Sequence, residues 1–359
     1  MLEKELYMLA GKLSEDISEN KKGLEEMNGI KENVLQKKQV ELIRDNTLVS
    51  DFVLVDGQGR SGKAMLGVIL STMRRVEKLR LDTVFDYVPR YYFLGKMSHN
   101  AAITALKIEA DEKLYNTMIS RCVNFRFDDY SGVFKDGYPF RYLKRLVQKS
   151  EQSAVERIKN EKPIFQNLTH DGLHMASLYF DAFGDKLKII HMMRDPIENI
   201  YEWDKRNFGE RIGKDPREFQ LSYEWKGECV PLNAEGWEDD YLSSNPTERI
   251  VGMINHFFKI NLEGYFNLDE KWKERIYFLE FEKFVVEPMK YCRQLEEFLG
   301  TEMTFRTKRV LKRERCPRKL DQALRERKIK DTEEKLSPKF KTMLRKLLED
   351  YERRRWESF

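Results

Sequence analysis

Cysteine and histidine are scarce: 4 and 5 of the 359 residues. Cys122, Cys229, Cys292 and Cys316 are widely separated and form no CxxC pair, which argues against a zinc site or a disulfide framework and fits free thiols in a reducing compartment. No apolar run reaches membrane-spanning length. The opening residues, MLEKELYMLAGKLSED, are charged from the third position, unlike the apolar stretch of a signal peptide. These absences predict a cytoplasmic protein without a membrane span. Neither charge sign dominates, since 65 Lys and Arg stand against 61 Asp and Glu for a net charge of +4. That balance gives no argument for nucleic acid or a membrane surface as partner.

What is present is enough apolar residue, 41%, to bury a sizeable core. Residues 1–48 read as a charged N-terminal helical segment, with Leu6, Leu9 and Leu13 at helical spacing. Short apolar runs then alternate with helical stretches. DFVLVD at 51–56, VFDYV at 84–88, PIFQNL at 163–168, LKIIHMM at 187–193 and RIYFLEF at 275–281 read as strands. Helices are predicted after the first strand from Lys63 to about residue 80, and over 96–121, 141–160, 172–184, 197–208, 246–265 and 288–299, the last capped by Gly300. Residues 209–245, rich in Gly, Pro, Trp and acidic residues, read as an irregular insertion, a lid or acceptor-binding segment. Residues 306–359 form a basic helical C-terminal segment. The alternation predicts an α/β fold over 49–305 with a mainly parallel central sheet between two layers of helices.

One turn in this pattern carries chemistry. Gly57-Gln-Gly-Arg-Ser-Gly62-Lys63-Ala64 fits GxxxxGK at its glycines and lysine, and it lies between a strand and a helix. In such a loop the backbone N–H groups and the positive end of the helix cradle a phosphate, and Arg60 and Lys63 add two cations. The predicted class is therefore a P-loop fold of three layers. A loop that hydrolyses ATP or GTP has Ser or Thr after the lysine to hold magnesium. Here Ala64 cannot be a metal ligand, so the loop suits a nucleotide reaction with no metal.

GQGRSGKAML resembles the loop of PAPS-dependent sulfotransferases, commonly RSGTT or KSGTT, which grips the 5′-phosphosulfate end of the donor. Arg60, Ser61 and Gly62 match, with Gly59 before them; Lys63 and Ala64 replace the two threonines. KIIHMMRDPIENI resembles the family's strand and R-[DN]-P signature, which makes Arg194 the counterpart of the arginine on the 3′-phosphate. Eight residues on, where the family commonly has serine, this chain has Glu202, a carboxylate that repels a 3′-phosphate unless it turns away. FQNLTHDGL resembles the K-T-H segment of cytosolic sulfotransferases, and RIYFLEFEKFVVEPMKYCRQLEEFLG the late strand, acidic turn and helix. The resemblance spans residues 50–300 in patches. It implies sulfuryl transfer from PAPS to a hydroxyl or amine on a small molecule or carbohydrate, with PAP as product and no metal.

That reaction needs a base for the acceptor proton and fixed cations for the leaving phosphate. Lys63 and Arg60 suit the second task. His170 suits the first, because its intrinsic pKa lies near neutrality. Asp86 is the rival base, in a region where some carbohydrate and tyrosylprotein sulfotransferases place a carboxylate. His174 and His191 read as structural, and His99 and His256 carry no motif. Arg315, Arg318 and Lys319, in a basic run without interleaved aromatics, are candidates for closing over the 3′-phosphate rather than for binding nucleic acid. Tyr87, Tyr91, Tyr92 and Phe93 could stack on a sugar or phenol ring. Two alternatives remain at this stage. One is an ATP-using kinase-like enzyme, for which Asp56 and Asp195 lie near strand ends. The other is an inactive nucleotide-binding scaffold. Nothing in the sequence sets the oligomeric state.

Overall fold

The structure, a computed structural model, describes residues 40–147 and 151–353. The chain divides into two units, 1–43 and 44–359. The N-terminal helical segment predicted for 1–48 lies outside the described residues up to position 39. From 40 to 48 the backbone is irregular rather than helical. There Asp111 accepts hydrogen bonds from the amides of Leu48 and Val49 at 2.7 and 3.0 Å and pairs with Arg44.

Four parallel strands form the central sheet: β1 (Asp51–Gly57), β2 (Ile164–Leu168), β3 (Leu187–Met193) and β6 (Ile276–Glu280), in the order β2-β1-β3-β6. The strands β4 (Ser222–Trp225) and β5 (Glu228–Pro231) pair separately as an antiparallel hairpin. In the sheet Val53 of β1 stands opposite Gln166 on one side and Lys188 on the other, and His191 of β3 stands opposite Phe278 of β6.

The helices before β2 are α1 (Lys63–Leu70), α2 (Val84–Phe93), α3 (His99–Met118), α4 (Pro139–Leu146) and α5 (Glu151–Glu161). Between β2 and β6 come α6 (Ala176–Phe183), α7 (Pro196–Asp204), α8 (Phe208–Arg211), α9 (Glu238–Ser243), α10 (Pro246–Phe266) and α11 (Glu270–Lys273). After β6 follow α12 (Phe281–Val286), α13 (Pro288–Leu299), α14 (Phe305–Arg313), α15 (Gln322–Glu333) and α16 (Pro338–Glu352).

Strand periodicity explains the layers. Successive side chains point to opposite faces, and here both faces are buried. Phe52, Leu54, Phe165, Leu187 and Ile189 pack with α2, α3 and α6. Val53, Val55, Ile190, Met192 and Leu279 pack on the other face with α1, α12, α13 and α14. A third core joins α7, α10 and α16 beyond the sheet edge, through Ile200, Trp203, Ile254, Leu262 and Leu344. The chain thus has the mainly parallel three-layer α/β fold, with a glycine turn between its first strand and first helix.

Other predicted elements differ too, among them the 209–245 segment, expected to be irregular, which contains the β4–β5 hairpin and α9. Residues 84–88 are not a strand but the start of α2. Pro89 inside that helix lacks the N–H that would bond the carbonyl four residues back. The Tyr179 hydroxyl donates to that carbonyl, Phe85 O, at 2.5 Å instead. The helix after the loop stops at Leu70, where Ser71 and Thr72 turn their hydroxyls back onto the carbonyls of Val68 and Ile69. Residues 76–80 then run beside β2 with parallel bridges Val76–Ile164 and Arg80–Asn167, which widens the sheet. The stretch 141–160 is two helices, α4 and α5.

Candidate functional site

All four strands point their carboxyl ends to one side. The chain visits β2 on one flank of β1 and then β3 on the other, so the strand order reverses between β1 and β3. Open parallel sheets bind ligands in the crevice at such a reversal. The loop after β1, Thr169–Asp171 after β2, Arg194 after β3 and Phe281 after β6 all emerge there.

The loop is held tightly from outside. Gly57 has φ 131°, and a Cβ on it would lie 2.4 Å from the Met192 carbonyl oxygen. Gly62 has φ 99°, and a Cβ there would lie 2.4 Å from the Phe281 ring. Both positions need glycine. From α7, Trp203 Nε1 donates to Gly59 O at 2.8 Å and Asn199 Nδ2 to Gln58 Oε1 at 2.9 Å. From the end of β3, Arg194 Nη1 donates to Arg60 O at 2.5 Å. No side chain caps α1, so its first-turn amides are left for another acceptor. Ser61 is 1% exposed, yet its Oγ has no hydrogen-bond partner among the described residues. A buried hydroxyl of this kind is costly unless something fills the cradle.

Lys63 departs from the simple picture of a cation waiting at the surface. It is buried, and its ammonium donates to the carbonyls of Gly57 and, at 2.6 Å, of Thr169. Burial pushes its pKa down, while Asp56, Asp171 and Asp86 pull it back up. A buried ammonium must satisfy its donors, and here the carbonyls around it serve. The lysine therefore braces the loop against the end of β2 from a position that still lines the cavity.

The two rival bases are one pair. Asp86, buried in the first turn of α2, accepts from the His170 amide at 2.7 Å and lies 3.3 Å from His170 Nδ1. Arg90 of the same helix donates to His170 O at 2.9 Å. The His170 side chain is 46% exposed. With Nδ1 held by the carboxylate, Nε2 is the nitrogen left for a ligand. The next residue, Asp171, is buried, and burial pushes its carboxyl up to about 6, against the pull of Lys63.

His191 and Asp56 form a second pair beneath the loop, at 2.7 Å and sealed from solvent. Asp56 also accepts from Thr169 Oγ1 at 3.0 Å and Gly172 N at 2.8 Å. Asp195 caps α7 by accepting from Ile197 N and pairs with Arg325 at 2.5 Å. Both aspartates near strand ends are thus committed within the protein. His174 packs against Asn261 on α10, and burial pushes its pKa down to about 4.

These features meet on a cavity of about 720 Å³. Gly59, Arg60, Gly62, Lys63, Ala64, Asp86, His170, Arg194 and Glu202 all line it. The 209–245 segment adds Ile212, Phe219 and Asn233, and α10 adds Phe257. Across the mouth Tyr87 donates its hydroxyl to Phe219 O. Arg315, Arg318 and Lys319 do not line the cavity. Arg315 and Lys319 are exposed. Arg318 lies 5.5 Å from the Phe281 ring whose other neighbour is the Arg194 guanidinium at 5.0 Å, and its Nη2 is 3.4 Å from Met65 Sδ. Sequence reasoning missed Asp171, Arg206, Trp203 and Phe219. Position offered a signal only for Asp171, next to His170 at a strand end; the others reach the cavity through helix and loop packing.

No protein-family model matches the chain, and no curated protein matches it. Among solved structures it is similar to the sulfotransferase domain from the curacin biosynthetic pathway, at 11% identity and TM-score 0.42 over 72% of this chain and 77% of that one. It is similar to the sulfotransferase domain of the Synechococcus olefin synthase, at 12% identity and TM-score 0.40 over 76% and 80%. It is also similar to a sulfotransferase from Alicyclobacillus acidocaldarius, at 15% identity and TM-score 0.36 over 86% and 97%.

Proposed function

We propose that this protein is a sulfotransferase that moves a sulfuryl group from PAPS to a hydroxyl or amine acceptor without a metal. The observation that supports it most is the meeting, on one cavity, of a glycine loop with an unpartnered buried Ser61 hydroxyl, of Arg194, and of a half-exposed histidine held by a carboxylate. The residues fit the donor: loop amides, Ser61 and Lys63 at the 5′ end, and Arg60 and Arg194 beside it for the second phosphate. Arg318, which lies against the same Phe281 ring as Arg194 but outside the cavity lining, and Arg315 and Lys319 would reach that phosphate only if their segment moved.

In the transfer the S–O bond to the 5′-phosphate breaks and a bond from sulfur to the acceptor oxygen or nitrogen forms. His170 Nε2 takes the acceptor proton, and Asp86 holds the ring and stabilises the imidazolium. Lys63 turns from the carbonyls of Gly57 and Thr169 toward the charge that develops on the leaving phosphate. Phe208 at the start of α8, with Ile212 and Phe219 of the 209–245 segment, gives the acceptor side an apolar character. It suits an acceptor with an apolar body, or a carbohydrate stacked on its aromatic rings. The proposed organisation is an N-terminal segment, 1–48, a sulfotransferase-like domain, 49–305, and a basic helical tail, 306–359.

Thermal unfolding with added PAP, ATP or ATP–magnesium tests the reading. PAP without metal is expected to raise the midpoint, through binding to the folded state alone. Stabilisation only by ATP–magnesium would make the kinase alternative the better account.

A further inference from the structure

Glu202 sits among arginines. Its carboxylate accepts from Arg206 Nη1, which also donates to the Glu202 carbonyl at 2.9 Å. Burial works to raise the Glu202 pKa, but the Arg206 bond and the charges of Arg206 and Arg194 hold it below the usual carboxylate range. The neighbouring cations are not consumed in the same way. Arg194 lies 3.7 Å from Glu198, whose two oxygens take Lys328 Nζ at 2.7 and 2.8 Å. Arg194 Nε is buried without a partner, and the Arg60 guanidinium has no ion pair or hydrogen bond shown among the described residues. Arg60, Arg194, Glu202 and Arg206 line the same cavity as Lys63. Trp203, next to Glu202, is bonded to the loop itself.

The cavity wall thus carries three arginines in different states: Arg60 is exposed, Arg194 keeps Nε unpartnered although its Nη1 donates to Arg60 O, and Arg206 is masked by a carboxylate. We propose that Glu202 sets the choice of donor nucleotide: by holding Arg206 it keeps down the affinity for a nucleotide with a second phosphate, relative to one with a single 5′-phosphate. This rests on the donor-site reading above. A second phosphate that enters must either displace the carboxylate from Arg206 or lie against a like charge. Removing the charge while keeping the shape lifts both obstacles and frees a guanidinium that can bind phosphate through two hydrogen bonds.

Isothermal titration of PAP and adenosine 5′-monophosphate into the full-length protein tests this, with Glu202→Gln, Glu202→Ser, Arg206→Ala and the double variant Glu202→Gln/Arg206→Ala. Both side chains are part-exposed, and unfolding midpoints within a few degrees of the parent would show intact folding. Glu202→Gln and Glu202→Ser are expected to tighten PAP about tenfold or more, the worth of one charge-assisted hydrogen bond. The monophosphate should change by less than about twofold. Arg206→Ala in the Gln background should abolish the gain. PAP binding with an unchanged PAP-to-monophosphate ratio, or weakened by Glu202→Gln, would overturn the assignment of Glu202 while leaving the donor site standing. Failure of PAP to bind any of the proteins would overturn the donor site and this assignment together.

Discussion

Two histidine–aspartate pairs meet the same Thr169–Gly172 turn and have opposite surroundings. His191 on β3 reaches Asp56 on β1 at 2.7 Å, with side chains 5% and 2% exposed. His170, just past β2, reaches Asp86 on α2 at 3.3 Å, with a ring 46% exposed over a carboxylate at 6%. The residue types and the nitrogen used are the same. What differs is access. The inner pair is closed by Phe278 at 5.6 Å and by the hydrogen bonds that Thr169 and Gly172 give to Asp56. The outer pair keeps one ring nitrogen toward the cavity. A motif of two residue types therefore says little about role until burial is known: one pair holds β1 to β3, and only the other has the access that the proposed proton transfer requires.

Substitution can break this contrast. His170→Ala is expected to lower sulfuryl transfer by roughly 10²–10⁴-fold, the usual worth of a positioned general base. Stability should change by less than about 1 kcal/mol, as for other part-exposed side chains. A turnover assay with PAPS and a panel of phenols, alcohols and sugars reads the first effect, and urea unfolding the second. Transfer that survives in His170→Ala would remove the outer pair from the chemistry. His191→Ala should do the reverse. It strips a buried carboxylate of its imidazole partner, at a cost of about 3 kcal/mol or more. PAP affinity of the fraction that folds should stay near that of the parent. A stable His191→Ala protein with lost turnover would make the two pairs equivalent.

The same contrast separates what was legible in the sequence from what was not. β1 and β3 were readable because strands buried on both faces are nearly continuous apolar runs, and the glycine loop because its spacing lies within eight residues. The relation of His170 to Asp86 was not, since 84 positions separate them and only the fold brings them together. They read as rivals and stand as a pair. VFDYV read as a strand because of its β-branched and aromatic residues; tertiary contacts decided for helix, with Tyr179 taking the carbonyl that Pro89 leaves open. Lys63 read as a free cation, whereas an ammonium at that depth turns to the carbonyls around it. Arg206 carried no motif at all. It matters through Glu202, one helical turn before it.

The finest difference is in how two buried aspartates respond to pH, Asp56 of the inner pair and Asp171 next to the outer one, and it has opposite signs. Asp56 is held well below the usual carboxylate range: burial opposes this, and the bond and charge of His191 outweigh it. Its contribution is present above the ordinary carboxylate pKa and is lost only as pH falls below that range. Asp171, beside the outer pair, is raised to about 6 by burial, with the Asp56 charge adding to it and Lys63 opposing. An unfolded aspartate titrates near 4, so between about pH 4 and 6 the folded chain binds more protons than the unfolded one. Stability from this residue is therefore full below pH 4 and declines as pH rises to 6. Asp171→Asn should remove that slope. The stability of the parent relative to the variant is expected to drop by roughly 2–3 kcal/mol between pH 4 and 6, measured by urea unfolding at each pH. A difference that stays flat across this window would mean that Lys63 keeps Asp171 ionised. The carboxylate beside His170 would then be a fixed counter-charge to the loop lysine, and the contrast in pH response between Asp171 and Asp56 would disappear.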